Sequence, residues 1–364
     1  METALPSLPA FSDGAEMHLP EVNLTHVDRL TDSTGMIQHA VYGLPNRREG
    51  YCIDDNARAL LLAVLACRNN KHNETALRLL PVYLGFVHYM QTENGLFRNF
   101  MLYNKVCPEE HGSEDSFGRT VMALGYLVKE GPTRPYIKIG EEIFMRAYPQ
   151  ISSLTSLRGI ANALIGLSLF VQFNYPDDLK REQVAALADK MMNMYAANCT
   201  PDWQWFEPIL TYDNAIMPLA LLHAYELTGN EACLSVALES MHFLESKVFH
   251  EGILRPVGNK GWWEKGQKQG ARFDQQGIDV MAMVLYYEQA WKVTRDEQYL
   301  TRLYQCFQWF HGANDLEMAL YDPENGGCAD GLQAEGINQN QGAESTLAYW
   351  ISHLTTEAII SASK

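Results

Sequence analysis

The chain has 364 residues, enough for one large domain or two, and its 47% hydrophobic and 20% charged residues are a globular balance. A formal net charge of −16 argues against a phosphate backbone or an anionic membrane surface as partner. The seven cysteines form no CxxC pair and no zinc spacing, so they read as free thiols of a reducing compartment; with no leader pattern and no apolar run of about 20 residues, a cytoplasmic protein is expected.

Residues 1–30, with Pro6, Pro9, Pro20 and several acids, are expected to form an irregular N-terminal arm, followed by a single domain over 31–364. Residues 31–40 carry a capping pattern for a short helix, broken at Pro45. Thereafter apolar spacing, such as Leu77, Leu80, Leu84 and Val87, predicts helices over 55–67, 74–91, 115–129 and 136–147. It predicts more over 157–173, 181–197, 214–227 and 231–248, then 276–293, 297–310 and 343–360. Strand signals are short and confined to the long connections, as at 94–100. The class is all-α.

Short turns such as Thr228-Gly229-Asn230 alternate with long loops rich in Gly, Trp, Asn and acids. The junctions from long loop to helix resemble one another. They read Asp54-Asp55-Asn56-Ala57-Arg58, Glu114-Asp115-Ser116-Phe117-Gly118-Arg119, Ser156-Leu157-Arg158-Gly159, Tyr212-Asp213-Asn214-Ala215, Asp274-Gln275-Gln276-Gly277 and Gln341-Gly342-Ala343-Glu344-Ser345. Six junctions predict six helical hairpins of irregular period. Closed in a ring they give an (α/α)6 barrel, with short β-hairpins in the long loops and all inner-helix N-termini at one end. A solenoid is the alternative, but it keeps a tighter repeat and has no reason to load polar residues at every second helix start.

One acid per junction is what N-capping and the helix dipole favour. Three features exceed capping: the doubled acids Asp54-Asp55 and Glu114-Asp115, the arginines Arg58, Arg119 and Arg158 placed where the dipole disfavours them, and the aromatic loops holding Trp203, Trp205, Phe206, Trp262 and Trp263. Aromatic rings with carboxylates and amides suit a sugar, whose apolar face stacks while its hydroxyls are hydrogen-bonded. Hydrolysis of a glycosidic bond needs two carboxyl groups, about 6.5–9.5 Å apart in inverting enzymes and about 5–5.5 Å in retaining ones. The catalytic candidates are Glu344, Asp55, Glu207 and Glu114. Glu207 follows two tryptophans and a phenylalanine, surroundings that raise a carboxyl pKa and suit a general acid. Glu344 follows the run Asn338-Gln339-Asn340-Gln341, a good polar pocket wall. The remaining substrate-binding candidates are Asp54, Arg58, Asp115, Arg119, Trp203, Trp205, Asp213, Asn214, Trp262, Trp263, Asp274, Gln275, Asp330 and Asn340, with His39 near the first junction. No dinucleotide, P-loop or HExxH motif occurs, and no cofactor or metal site is expected.

These junction motifs resemble the six-hairpin glycosidase superfamily over residues 30–362. The resemblance rests on Asp-Asp-Asn-Ala-Arg at 54–58, the Trp/Phe/Glu loop before Tyr212-Asp213-Asn214-Ala215, and the closing Asn-Gln-Gly-Ala-Glu-Ser. It implies a carbohydrate-active enzyme. An inverting glycoside hydrolase acting on a short neutral oligosaccharide is the leading expectation. A sugar isomerase or 2-epimerase of the same fold, which uses two histidines as acid and base, is the first alternative; a non-catalytic glycan-binding protein is the second.

Overall fold

A computed structural model describes residues 19–68, 73–173 and 177–362. Residues 1–18 of the expected arm lie outside them. The helices are α1 (Thr25–Leu30), α2 (Ile53–Arg68), α3 (Asn73–Met90), α4 (Glu114–Glu130), α5 (Arg134–Ala147) and α6 (Leu157–Phe173). They continue as α7 (Asp178–Asn198), α8 (Ile216–Thr228), α9 (Glu231–Val248), α10 (Gly277–Thr294), α11 (Gln298–Gln308) and α12 (Ala343–Ala362). The strands are two or three residues long and pair only within the long loops.

Helices α2, α4, α6, α8, α10 and α12 pack each on the next, and α12 closes back on α2. This is the inner ring of an (α/α)6 toroid. These helices are buried nearly all round, which is why their sequences are rich in Ala, Leu and Gly. The even-numbered helices hold α3, α5, α7, α9 and α11 on their outer faces. The sixth outer position belongs to α1, which lies against α12. Here the structure departs from the expected arm. His26, Val27 and Leu30 are buried, and His26 Nε2 is 2.8 Å from the Gln341 carbonyl. Helices α1 and α12 therefore close the ring together.

The tightest seam lies between α4 and α6. A Cβ on Gly118 would stand 2.4 Å from the Gly159 carbonyl oxygen, and one on Gly125 would stand 2.4 Å from that of Gly166. Two glycines seven residues apart on each helix let the backbones touch. This brings the start of α4 beside the start of α6.

The short helix expected over 31–40 does not form. Asp32 Oδ1 instead accepts from Thr34 N at 2.8 Å in a local turn, and Ala40–Val41 pairs with Leu44–Pro45. Asp and Ser compete for their own backbone in this way, so a capping pattern can mark a turn as readily as a helix. Ile37 bridges Tyr51, and Tyr51–Cys52 pairs with Phe100–Met101, so three loop segments meet at the start of α2. Among the described residues no helix is long and apolar enough to cross a membrane.

Candidate active site

The N-terminal ends of the inner helices surround a cleft with two connected lobes of about 430 and 480 Å³. Cys52, Asp54, Phe100, Asn259, Gln276 and Glu344 line both lobes and mark where they meet. His39, Asp55, Asp274 and Asp330 face the first lobe; Arg58, Asp115, Arg119, Tyr212 and Trp262 face the second.

Two of these helix starts are tied down by side chains. Asn56 accepts from Met36 N at 2.8 Å and donates to the Cys52 carbonyl at 2.9 Å, tying α2 to the preceding loop. At α12, Asp330 Oδ1 accepts from Gly342 N at 2.7 Å and from the Ser345 hydroxyl at 2.8 Å, a cap delivered from another loop. That cap sets the position of Glu344.

The carboxylates and arginines form one chain of alternating charge. Arg58, buried, reaches Asp54 at 2.9 Å, Asp55 at 3.1 Å and Glu344 at 2.9 Å. Arg119, also buried, reaches Asp54 at 3.2 Å and Asp213 at 3.1 Å. This explains arginines near the starts of helices, where the dipole disfavours cations: acids from neighbouring junctions outweigh it. The protonation states diverge. Burial, aided by the charges of Asp54 and Glu344, pushes the Asp55 carboxyl up to about 8 against the pull of Arg58. Burial would also raise Asp54, but Arg119 and Arg58 outweigh it and hold that carboxyl below its usual range. Burial raises Asp213 despite Arg119, and raises Asp330 despite its hydrogen bonds and the nearby His39. Burial, with the charge of Asp213, brings Asp279 at the start of α10 to about 8.

Several expected site residues do other work. Glu114 turns away to accept from Thr155 N at 2.7 Å and the Thr155 hydroxyl at 3.0 Å, capping α6. Burial raises its carboxyl, but the Ser156 and Thr155 hydrogen bonds hold it below the usual range, which suits a cap and not a general acid. Glu207 forms an ion pair with Arg158 at 3.0 Å instead of sitting unpaired against the aromatics. Trp203 and Trp205 are 3% and 0% exposed and pack on Phe243, so they are core and not sugar platforms. Trp263 donates its indole N–H to the Gln267 carbonyl, and the Lys247 amine lies over its ring. Gln275 is fully buried, donating to Asp315 at 2.6 Å and accepting from Trp309 at 3.1 Å. Asn340 holds the Tyr42 backbone N–H at 2.9 Å, and Asn214 closes its own turn on Thr211. Asp274 lies between Lys260 and Gln333 in the first lobe. Asp213 is a buried counter-ion.

Sequence reasoning missed Cys52, Phe100, Asn259, Gln276 and Tyr212. Tyr212 adjoins Asp213 and Gln276 adjoins Gln275, both singled out at a junction. Asn259 and Phe100 come from loops that carry no repeated motif. Among the described residues no group of three or more His, Cys, Asp or Glu side chains is arranged to hold a metal ion.

No family model and no curated protein matches the sequence. Solved structures match the fold along nearly its whole length. Cellobiose 2-epimerase from Bacillus thermoamylovorans is 13% identical over 93% of this chain and 96% of that one, with a TM-score of 0.69. A D-mannose isomerase is 11% identical over 93% and 94%, with a TM-score of 0.70. An inactive variant of an α-1,6-mannanase from Salegentibacter sp., carrying two consecutive aspartate replacements and bound to α-1,6-mannotriose, is 14% identical over 92% and 96%, with a TM-score of 0.60. These neighbours and the closed ring of inner helices give the chain's fold, an (α/α)6 toroid.

Proposed function

We propose that this chain is a carbohydrate-active enzyme and, within that class, a glycoside hydrolase acting on a short neutral oligosaccharide. One observation carries the reading. Asp55, its carboxyl pushed up to about 8, stands in the cleft beside Asp54, which two arginines hold below its usual range. Two carboxyl groups driven apart in pKa by their surroundings are what glycosidic hydrolysis uses. Asp54 Oδ2 and Glu344 Oε2 each lie 2.9 Å from one Arg58 nitrogen, so they are at most about 6 Å apart, which is short for a water-activating pair. Asp54 is also held ionised, whereas Asp55 keeps its proton at neutral pH, so the acid role goes to Asp55. It donates its proton to the leaving oxygen as the glycosidic bond breaks. Glu344, whose side chain is 42% exposed, takes a proton from water, and the hydroxyl adds to the anomeric carbon. Asp54, held ionised, stabilises the positive charge developing there. The α-1,6-mannanase neighbour, inactive with two consecutive aspartates replaced, lends support through the consecutive Asp54 and Asp55.

Isomerisation or epimerisation of a free sugar is the second reading, favoured by His39 beside Asp330 in the first lobe and by the two neighbours of that activity. That chemistry was expected to need two histidines; among the described residues His39 alone lines the cleft. Incubation with manno-, gluco- and galacto-oligosaccharides should release shorter sugars. Asp55→Asn and Glu344→Gln should each lose about a hundredfold or more. Full activity in either variant removes that residue from the mechanism. Interconversion of free sugars without release of shorter ones would overturn the hydrolase in favour of the isomerase.

A further inference from the structure

We infer that the second lobe is a subsite for an additional sugar unit and that Trp262 selects for it, so the substrate is at least a disaccharide lying across both lobes. The inference rests on the sugar reading above and adds where the second unit sits.

Trp262 has φ +55°, a left-handed backbone that a bulky side chain rarely adopts. The conformation is held from both sides. Trp262 N donates to the Gly258 carbonyl at 3.1 Å, and Ala271 N donates to the Trp262 carbonyl at 2.8 Å. Such backbone persists where its surroundings over-determine it, and it clusters at ligand sites. Its effect is to separate two adjacent tryptophans. Trp263 lies in a strand pairing with Ile209–Leu210, packed so closely under Gly270 that a Cβ there would stand 2.7 Å from it. Trp262 is turned into the cleft.

Its companion in the lobe is Tyr212, with ring centroids 6.3 Å apart at 45°. Tyr212 is immobilised on three counts. Its hydroxyl donates to Asp115, which also accepts from the Ser156 hydroxyl at 2.6 Å. The Arg158 guanidinium lies 4.6 Å over its ring. Arg158 is itself pinned by Glu207 at 3.0 Å, the Thr211 hydroxyl at 2.6 Å and the Tyr212 carbonyl at 2.8 Å. Glu207 thus supports the site from behind. Two aromatic rings meet the charged groups of Asp115 and Arg119 in one lobe. That combination fits a pyranose, apolar on its face and polar at its rim. Asp54 and Glu344 stand where the lobes meet, so a bond joining two sugar units would lie over them.

The test is calorimetric titration of the full-length Glu344→Gln chain with matched mono-, di- and trisaccharides of the manno-, gluco- and galacto- series. In at least one series the disaccharide should bind roughly tenfold or more tightly than the monosaccharide, a comparison that needs no change at Trp262. Adding Trp262→Ala should remove that gain and leave monosaccharide affinity within about twofold, while Trp262→Phe should keep most of it. Equal affinity for mono- and disaccharides in every series overturns the inference, as does an equal loss on both in Trp262→Ala, or no saturable binding at all. Turnover is read separately. Disaccharide binding that depends on Trp262 in a wild-type chain without hydrolysis sinks the hydrolase reading and leaves the subsite standing; hydrolysis indifferent to Trp262 does the reverse.

Discussion

At the scale of single residues, position in the sequence located the charges and neighbours decided their use. Asp55 and Glu114 are both first-turn acids of inner helices. Asp55 faces the cleft and, among the described residues, takes a hydrogen bond from Arg58, while burial dominates its titration. Glu114 meets the backbone of Thr155 and Ser156, which the next hairpin brings within reach. No pattern within either junction distinguishes them. The same holds for Trp262 and Trp263, adjacent in sequence and separated by one left-handed backbone turn. The Asp55 assignment predicts a pH profile. A carboxyl with a pKa of about 8 is protonated at neutral pH and loses its proton as pH rises, so kcat/KM should fall on an alkaline limb near pH 8. Asp55→Asn should abolish that limb together with most of the rate. A wild-type profile flat from pH 6 to about 9 would rule Asp55 out as the general acid.

At the scale of elements, the eleven helices after α1 follow the predicted spans to within a few residues, because each carries a full turn-by-turn apolar pattern and most end at Gly, Asn or charged turns. What the pattern does not carry is how closely two helices approach. The glycines of α4 and α6 read only as small residues in an apolar run, yet they meet backbone to backbone. A Cβ at Gly166 would stand 2.4 Å from the Val121 carbonyl oxygen and 2.6 Å from its carbon, and backbone cannot swing aside as a side chain can. Gly166→Ala should therefore cost about 1–3 kcal/mol despite alanine's better helix propensity. Gly85, inside the outer helix α3, has nothing within 4 Å of such a Cβ, and Gly85→Ala should stabilise by about 0.4–1 kcal/mol. Denaturant titration of the two variants reads both signs. Equal effects would mean that the α4–α6 seam is not a close contact.

At the scale of the whole molecule, the long-loop junctions made the ring legible, since six similar helix starts imply six sectors around one opening. The closure itself was not legible. α1 has six residues, too few to show a period, and a composition with prolines nearby reads as an arm. Its partner α12 lies at the far end of the chain, so nothing local announces the contact. Closing a toroid buries the outer face of the last inner helix, and a face left open would expose apolar surface along α12. If α1 is the sixth outer helix, its buried residues should count as core. Leu30 is fully buried, and Leu30→Ala should lower unfolding stability by about 2–5 kcal/mol, the range for a well-packed leucine. Leu347→Ala, at a fully buried position on α12, sets the scale. The denaturation midpoint should move with little change in slope, because one cooperative unit is being weakened. A shift below about 0.5 kcal/mol for Leu30→Ala, the ordinary size of a surface substitution, would return residues 25–30 to the status of an arm and leave the ring to be held by its inner helices alone.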